Sequence, residues 1–227
     1  MGKLILLAER HAARSERRRR ERLPSPDRRR AATFWFDLSN PFSYLAAERV
    51  ERRFPVVRWR PAYGAALRAA AAEPGGTDGS HASAATRAAA LHMPLVWPED
   101  GAREWRGAAR AALYAAERGR GAPFVLAAGR LAFCGGFDLD DPEVLAEAAS
   151  AAGLAPLDCL AAAADEARDD VIHTATSCLD AAGTGSLPAL QVGSRIFSGE
   201  RQIAAALSGA VDGGEEPPVT HAGEKGF

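Results

Sequence analysis

Residues 33–48 read TFWFDLSNPFSYLAAE. Thr33-Phe34-Trp35-Phe36 is aromatic and β-branched, the composition of a buried strand. Asp37-Leu38-Ser39-Asn40 is a turn, and from Pro41 a helical pattern runs through Leu45, Ala46 and Val50. Asparagine is among the best helix N-caps, and proline is favoured at the first helical position, where its missing N–H would be unpaired anyway. The spacing therefore predicts a strand that ends and a helix that starts at Asn40. A helix start presents free backbone N–H groups and the positive end of the macrodipole, and so stabilises an anion such as a thiolate. Asn40 is the only asparagine in a chain dominated by alanine and arginine. It reads equally well as a simple cap or as a site residue.

The chain of 227 residues suits one domain, or one domain with an insertion. At 47% hydrophobic and 25% charged it has an ordinary globular composition. No apolar run is long enough to cross a bilayer, and Lys3 to Ala8 is too brief for a signal segment, so the cytoplasm is the expected compartment. Residues 1–30 hold 11 Lys and Arg against 4 Asp and Glu, and the remainder 17 against 25, so a basic stretch precedes an acidic body. Arg17-Arg18-Arg19-Arg20 would suit nucleic acid or an acidic surface. A solvated, disordered tail or a misassigned start codon explains the run better, because nothing after it looks like a nucleic-acid module. Cys134, Cys159 and Cys178 are odd in number and too widely spaced for C-x-x-C, which argues against a dithiol redox motif and against a metal site; three buried apolar residues is the favoured reading.

Phe54 to Arg60 alternates Val57 and Trp59 with Arg58 and Arg60, a half-buried strand that Pro61 stops. With the opening strand and helix it makes a βαβ unit. Residues 62–182 then change style. Alanine-rich helical stretches at Ala62–Ala72, His81–His92, Gly101–Arg118, Pro142–Ala152 and Pro156–Ala182 are separated by Gly and Pro at Pro74-Gly75-Gly76, Pro94, Pro98, Gly119–Pro123 and Gly135-Gly136. Trp97, Trp105 and Tyr114 are expected inside this helical insert. His92 and His173 lack partners at metal spacing and read as packed or surface residues. Gly183 to Leu207 returns to the first style, with strands at Ala189–Val192 and Arg195–Phe197 joined by Gly193-Ser194, then a helix from Glu200. The segment from Gly209 is rich in Gly, Pro and Glu and is expected to be mobile.

The order β-α-β, helical insert, Leu-Pro, hairpin and helix resembles the thioredoxin fold with a DsbA-type insertion. FDLSNPFSYLAAE resembles the opening FDxxSPYSYLA of 2-hydroxychromene-2-carboxylate isomerases and kappa-class glutathione transferases. Arg58-Trp59-Arg60-Pro61, Met93-Pro94-Leu95-Val96-Trp97-Pro98, Ala132-Phe133 with Gly136-Phe137-Asp138-Leu139, and Ser186-Leu187-Pro188 with Phe197-Ser198-Gly199 resemble later segments in the same order, over about residues 33–207. The fold this implies is an α/β, thioredoxin-like fold with a large inserted all-helical domain. Residues 31–61 and 183–208 form the thioredoxin-like part and 62–182 the insert, flanked by tails at 1–30 and 209–227.

The resemblance also implies a site. The family serine that holds the thiolate is matched by Asn40, with Ser39 beside it, and these are the expected catalytic residues. An amide N–H can donate to a thiolate much as a hydroxyl can. By resemblance Pro188 is cis and the Leu187 backbone pairs with the bound thiol. Gly199, Glu200 and Arg201 match the GQDR segment, with Arg201 near the place of the acid that holds the ligand's amino group. The implied cofactor is glutathione or another low-molecular-weight thiol such as mycothiol, with no metal. The implied activity is thiol-dependent isomerisation or transfer on a conjugated or aromatic small molecule, with Tyr44, Trp97 and Phe133 as candidate liners of its cleft, each reading at least as well as a core residue. The alternatives are a non-catalytic thioredoxin-fold binding protein and, more weakly, a DsbA-type disulfide oxidoreductase. The expected partner is the small-molecule substrate, with a homodimer entertained and neither membrane nor nucleic acid expected.

Overall fold

The computed structural model describes residues 31–70, 77–98 and 103–208. The expectations for 1–30, for 209–227 and for the Pro74-Gly75-Gly76 break lie outside the described residues. Strand β1 (Ala32–Phe36) leads into α1 (Pro41–Arg53), followed by β2 (Val57–Pro61). Six helices follow: α2 (Gly64–Ala70), α3 (Thr77–Ala90), α4 (Arg106–Glu117), α5 (Gly121–Phe133), α6 (Pro142–Ala151) and α7 (Pro156–Ala164). Helix α8 (Arg168–Ala181), the hairpin β3 (Ala189–Val192) and β4 (Arg195–Ser198), and α9 (Gly199–Leu207) complete the chain. The sheet order is β2-β1-β3-β4, with β1 parallel to β2 and antiparallel to β3.

The period-2 geometry of a strand splits β1 between two cores. Phe34 and Phe36 point to one face, where they join α1, α4–α7 and Ile203 of α9 in one continuous hydrophobic cluster. Trp35 points to the other face and packs with Ala62, Leu67, Leu179, Leu187 and Ala189. The larger core thus runs without a break from the thioredoxin-like sheet into the inserted helices.

The expected helical segments shift in physically readable ways. Ala62 is not helical, because its N–H still pairs with the Phe36 carbonyl at 2.9 Å and prolongs the sheet. Pro156–Ala182 is two helices rather than one. The Asp165 side chain takes the Ala167 N–H and breaks the first helix there, an Asx contact that competes with the helical ladder. Helix α5 is not among the expected helices, because the Gly119–Pro123 stretch reads as a break and the helix begins inside it. Pro123 sits in the first turn, where no N–H is needed. The glycines serve close packing: a Cβ on Gly121 would lie 2.8 Å from that of Trp59, and one on Gly129 3.3 Å from the Tyr44 ring. The cysteines also differ from expectation, since Cys159 alone is buried, Cys134 is half-buried and Cys178 exposed. Burial pushes the Cys159 thiol up to about 11.

An ionic staple joins α8 to α4 and to Tyr63, two residues past β2. Asp169 of α8 accepts from Arg110 Nε at 2.7 Å and Nη2 at 2.8 Å, and from the Tyr63 hydroxyl. Arg110 is buried and donates a further bond to the Ala163 carbonyl. The Arg110 hydrogen bonds hold the Asp169 carboxyl at about 2, well below the usual carboxylate range. Because the folded-state value is depressed, this stabilisation is fully present above about pH 4 and is lost as pH falls toward 2. Asp169→Asn, which strands the buried guanidinium, is expected to cost about 3 kcal/mol in urea unfolding. The wild-type protein should lose stability steeply between pH 4 and pH 2 and the variant much less so; equal acid sensitivity in the two would refute the staple.

Candidate functional site

The residues around Asn40 are fixed by their own hydrogen bonds before any tertiary contact is made. The Asn40 N–H donates to the Asp37 carbonyl at 3.0 Å, closing the turn. Asp37 is buried with no cationic partner among the described residues, and its carboxylate is satisfied by three donors: Ser39 N–H at 2.9 Å, Ser39 Oγ at 2.6 Å and Gly64 N–H at 3.0 Å. Ser39 is therefore turned toward Asp37. Ser43 is buried, and its hydroxyl accepts from the Asp37 N–H at 3.2 Å. The turn, the helix start and the first residues of α2 form one polar knot.

Asn40 itself works at both ends. Its Oδ1 accepts from Phe42 N–H at 2.9 Å, the expected cap, and its Nδ2 donates to the Leu187 carbonyl at 2.9 Å. The Leu187–Pro188 bond is cis. A single side chain thus spans from the α1 start to the loop before β3, 147 positions apart. One Nδ2 hydrogen remains uncommitted, and among the described residues the Leu187 N–H has no hydrogen-bond partner.

Beside this bridge lies a cleft of about 990 Å³. Its walls are α3, the Ser186-Leu187 loop and the start of α9, with Phe42 of α1 at one end. Gly199, at φ 78°, turns the chain from β4 into α9 and donates its N–H to the Pro188 carbonyl at 2.8 Å. Ser186 and Ser198 hydroxyls meet at 2.9 Å on the cleft wall. Glu200 is buried and accepts from Arg49 Nη1 of α1 at 2.6 Å and from Arg87 of α3 through Nε and Nη2. These bonds clasp α3 to the thioredoxin-like part. Its carboxylate is committed to two guanidinium groups.

The sequence-predicted residues thus fall into two groups. Asn40, Leu187, Pro188, Gly199, Glu200 and Arg201 gather around one cleft and its floor. Tyr44, Trp97 and Phe133 gather elsewhere. Tyr44 stacks on Phe133 at 5.7 Å and Trp97 meets Phe133 edge-on at 6.2 Å, with Phe133 fully buried. Expected as liners of a cleft, Tyr44 and Phe133 are core residues. The Tyr44 hydroxyl donates to the Pro94 carbonyl at 3.1 Å and lies 3.0 Å from Cys134 Sγ. Burial, reinforced by Cys134, pushes its ionisation well above the usual tyrosine range. Trp97 is half-buried and stacks on His81 at 3.8 Å. Arg49 and Arg87 were missed by sequence reading, and no local signal marks them, since each meets Glu200 from more than a hundred positions away. None of the three cysteines lines the cleft. Among the described residues no cluster of His, Cys, Asp and Glu gathers at metal distance, and no helix is long and apolar enough to cross a membrane.

The chain belongs to the DSBA-like thioredoxin domain family, whose model matches residues 32–208. Its fold is similar to that of a 2-hydroxychromene-2-carboxylate isomerase, with a TM-score of 0.67 at 17% identity over 79% of this chain and 94% of the other. It is also similar to the cytosolic disulfide reductase DsbM of Pseudomonas aeruginosa solved with GSH, with a TM-score of 0.58 at 15% identity over 80% and 99%. No curated protein matches in sequence. The mixed sheet interrupted by a helical insert, expected from the sequence, is the fold these structures share.

Asn40→Ala removes a helix cap and the bridge to Leu187 together. Loss of the cap alone costs about 1 kcal/mol and the second hydrogen bond about 1 kcal/mol more. A loss of about 2 kcal/mol in urea unfolding is expected, with Asn40→Ser recovering the cap portion; a change below about 0.5 kcal/mol in Asn40→Ala would show that the bridge is not formed in solution.

Proposed function

We propose that this protein binds a low-molecular-weight thiol, glutathione or a relative, in the cleft between α3 and the cis-Pro188 loop, and uses it in isomerisation or transfer on a conjugated small molecule. The observation that carries the reading is the convergence of the α1 start at Asn40, a Leu187 N–H unpaired among the described residues, and a cleft lined by Phe42 and Leu187 next to both. A cleft of about 990 Å³ has room for a tripeptide-sized ligand. Bound there, a thiol supplies a nucleophilic sulfur that adds reversibly to an electrophilic double bond and leaves after rotation about the bond so freed.

The chain's own residues would hold and activate that sulfur. The uncommitted Nδ2 hydrogen of Asn40 is a donor for a thiolate, and the positive end of α1 lowers the cost of keeping the sulfur ionised. The Leu187 N–H is placed to pair with the ligand backbone. Proline at the second position of Asn40-Pro41-Phe42-Ser43 is retained, but neither end of this segment is a cysteine. Electron shuttling through a C-x-x-C pair therefore has no chemical basis at this site. The three free cysteines, Cys178 exposed among them, support placement in a reducing compartment such as the cytoplasm.

One observation favours a second reading, a non-catalytic binding protein. The two groups that a thiol ligand would seek, Phe42 N–H and the Leu187 carbonyl, are already taken by Asn40. Under this reading the amide bridge is purely structural.

The two readings part in a thermal-shift titration of the full chain with glutathione and with mycothiol. A ligand present at 100 times its Kd adds about 2.7 kcal/mol of stability, which raises the Tm by several degrees. The isomerase reading expects a saturable rise with one thiol, its loss in Asn40→Leu, and its retention in Asn40→Ser, where serine is still a good cap and a donor. No rise at millimolar thiol, or a rise indifferent to Asn40→Leu, decides for the binding protein.

A further inference from the structure

We infer that the cleft selects a ligand whose end against α3 and α9 carries a carboxylate and no free ammonium; the inference deepens the thiol reading above and rests on it. Among the described residues, the ionised ones lining the cleft are Arg87, Arg201 and Glu200. Glu200 is the only carboxylate among them, and its side chain is 2% exposed. Oε1 accepts from Arg49 Nη1 at 2.6 Å and Arg87 Nη2 at 2.8 Å, while Oε2 accepts from Arg87 Nε. A ligand ammonium seeking this acid would have to displace a guanidinium that is already paired, and would meet two positive charges on the way.

The sum of charges has the opposite sign from the one an ammonium needs. Two guanidinium groups against one carboxylate leave the clasp with a surplus positive charge. Arg201 is exposed, with no hydrogen bond among the described residues, and adds another. Ser198 does not cap α9 with its side chain; its hydroxyl turns instead to Ser186, donating to the Ser186 carbonyl at 3.0 Å. The positive end of α9 therefore adds to the same field. A carboxylate entering here gains charge-assisted hydrogen bonds from Arg201 and from the Arg87 Nη1 that the clasp leaves over. An ammonium gains nothing and is repelled.

The surface hydroxyls agree with this. Ser83, Thr86 and Ser186 line the cleft as neutral donors and acceptors, able to serve either end of a ligand, so the sign of the selection falls to the arginines. The same arrangement makes Arg87 a double agent. It is the link that holds α3 over the cleft, and it is the inner cation of the anion subsite.

The test measures affinity by isothermal titration on the full chain with four probes: glutathione, N-acetylglutathione, the dimethyl ester of N-acetylglutathione, and S-methyl-N-acetylglutathione. Removing the ammonium charge by acetylation should tighten binding about tenfold, and esterifying the carboxylates should weaken it by at least that much. Arg201→Gln should weaken N-acetylglutathione about tenfold and leave the diester unchanged. Glutathione binding as tightly as its N-acetyl form, or the diester binding as tightly as the free acid, overturns the inference while leaving the thiol reading intact. Equal binding of the S-methyl probe sustains the charge selection and removes the thiol reading. Binding of none of the four overturns both.

Discussion

A primary amide has an acceptor and a donor at opposite faces of one plane, and Asn40 spends one on each side of the molecule. Oδ1 closes the start of α1, and Nδ2 reaches the carbonyl before Pro188. Two loops that are distant in the chain are thereby set side by side, and the cleft exists because they are. A serine at this position would satisfy the helix start but is too short to hold both ends in the same geometry. The asparagine therefore makes a side-chain bridge where a shorter residue would leave the Leu187 carbonyl open.

The second structural dependence is electrostatic. Two buried or half-buried carboxylates, Asp169 and Glu200, each sit between two arginines. The first joins α8 to α4 within the insert, and the second holds α3 against the thioredoxin-like part. Such pairs contribute modestly to net stability but are costly to break one partner at a time, which makes them fixers of geometry. In an alanine-rich insert, whose small side chains bury little area each, the geometry of the cleft wall depends on these charges more than it would in a core of large residues.

The continuous core explains why the insert behaves as part of the fold. Phe34 and Phe36 of β1 share one hydrophobic cluster with Phe124 and Phe133 of α5 and Leu145 of α6. Glycines at 121 and 129 let α5 approach Trp59 and Tyr44 at backbone distance. Residues that read as breakers in one dimension are the ones that permit contact in three. The aromatic residues expected to face a substrate instead complete this core.

Local chemistry in the sequence determined the strand at Thr33–Phe36, the helix opening at Asn40-Pro41, the hairpin at Gly193-Ser194 and the proline at 188. Each follows from propensity, capping or turn preference within a few residues, and the ordered set was enough to indicate the family. What only the tertiary structure decided are the partners: Asn40 with Leu187, Glu200 with Arg49 and Arg87, Asp169 with Arg110 and Tyr63, Gly121 with Trp59. These pairs join residues 59 to 151 positions apart. In a chain with 28 basic and 29 acidic residues, almost any cation could in principle answer any acid. Which one does is set by the packing of whole helices, and that information is nowhere local.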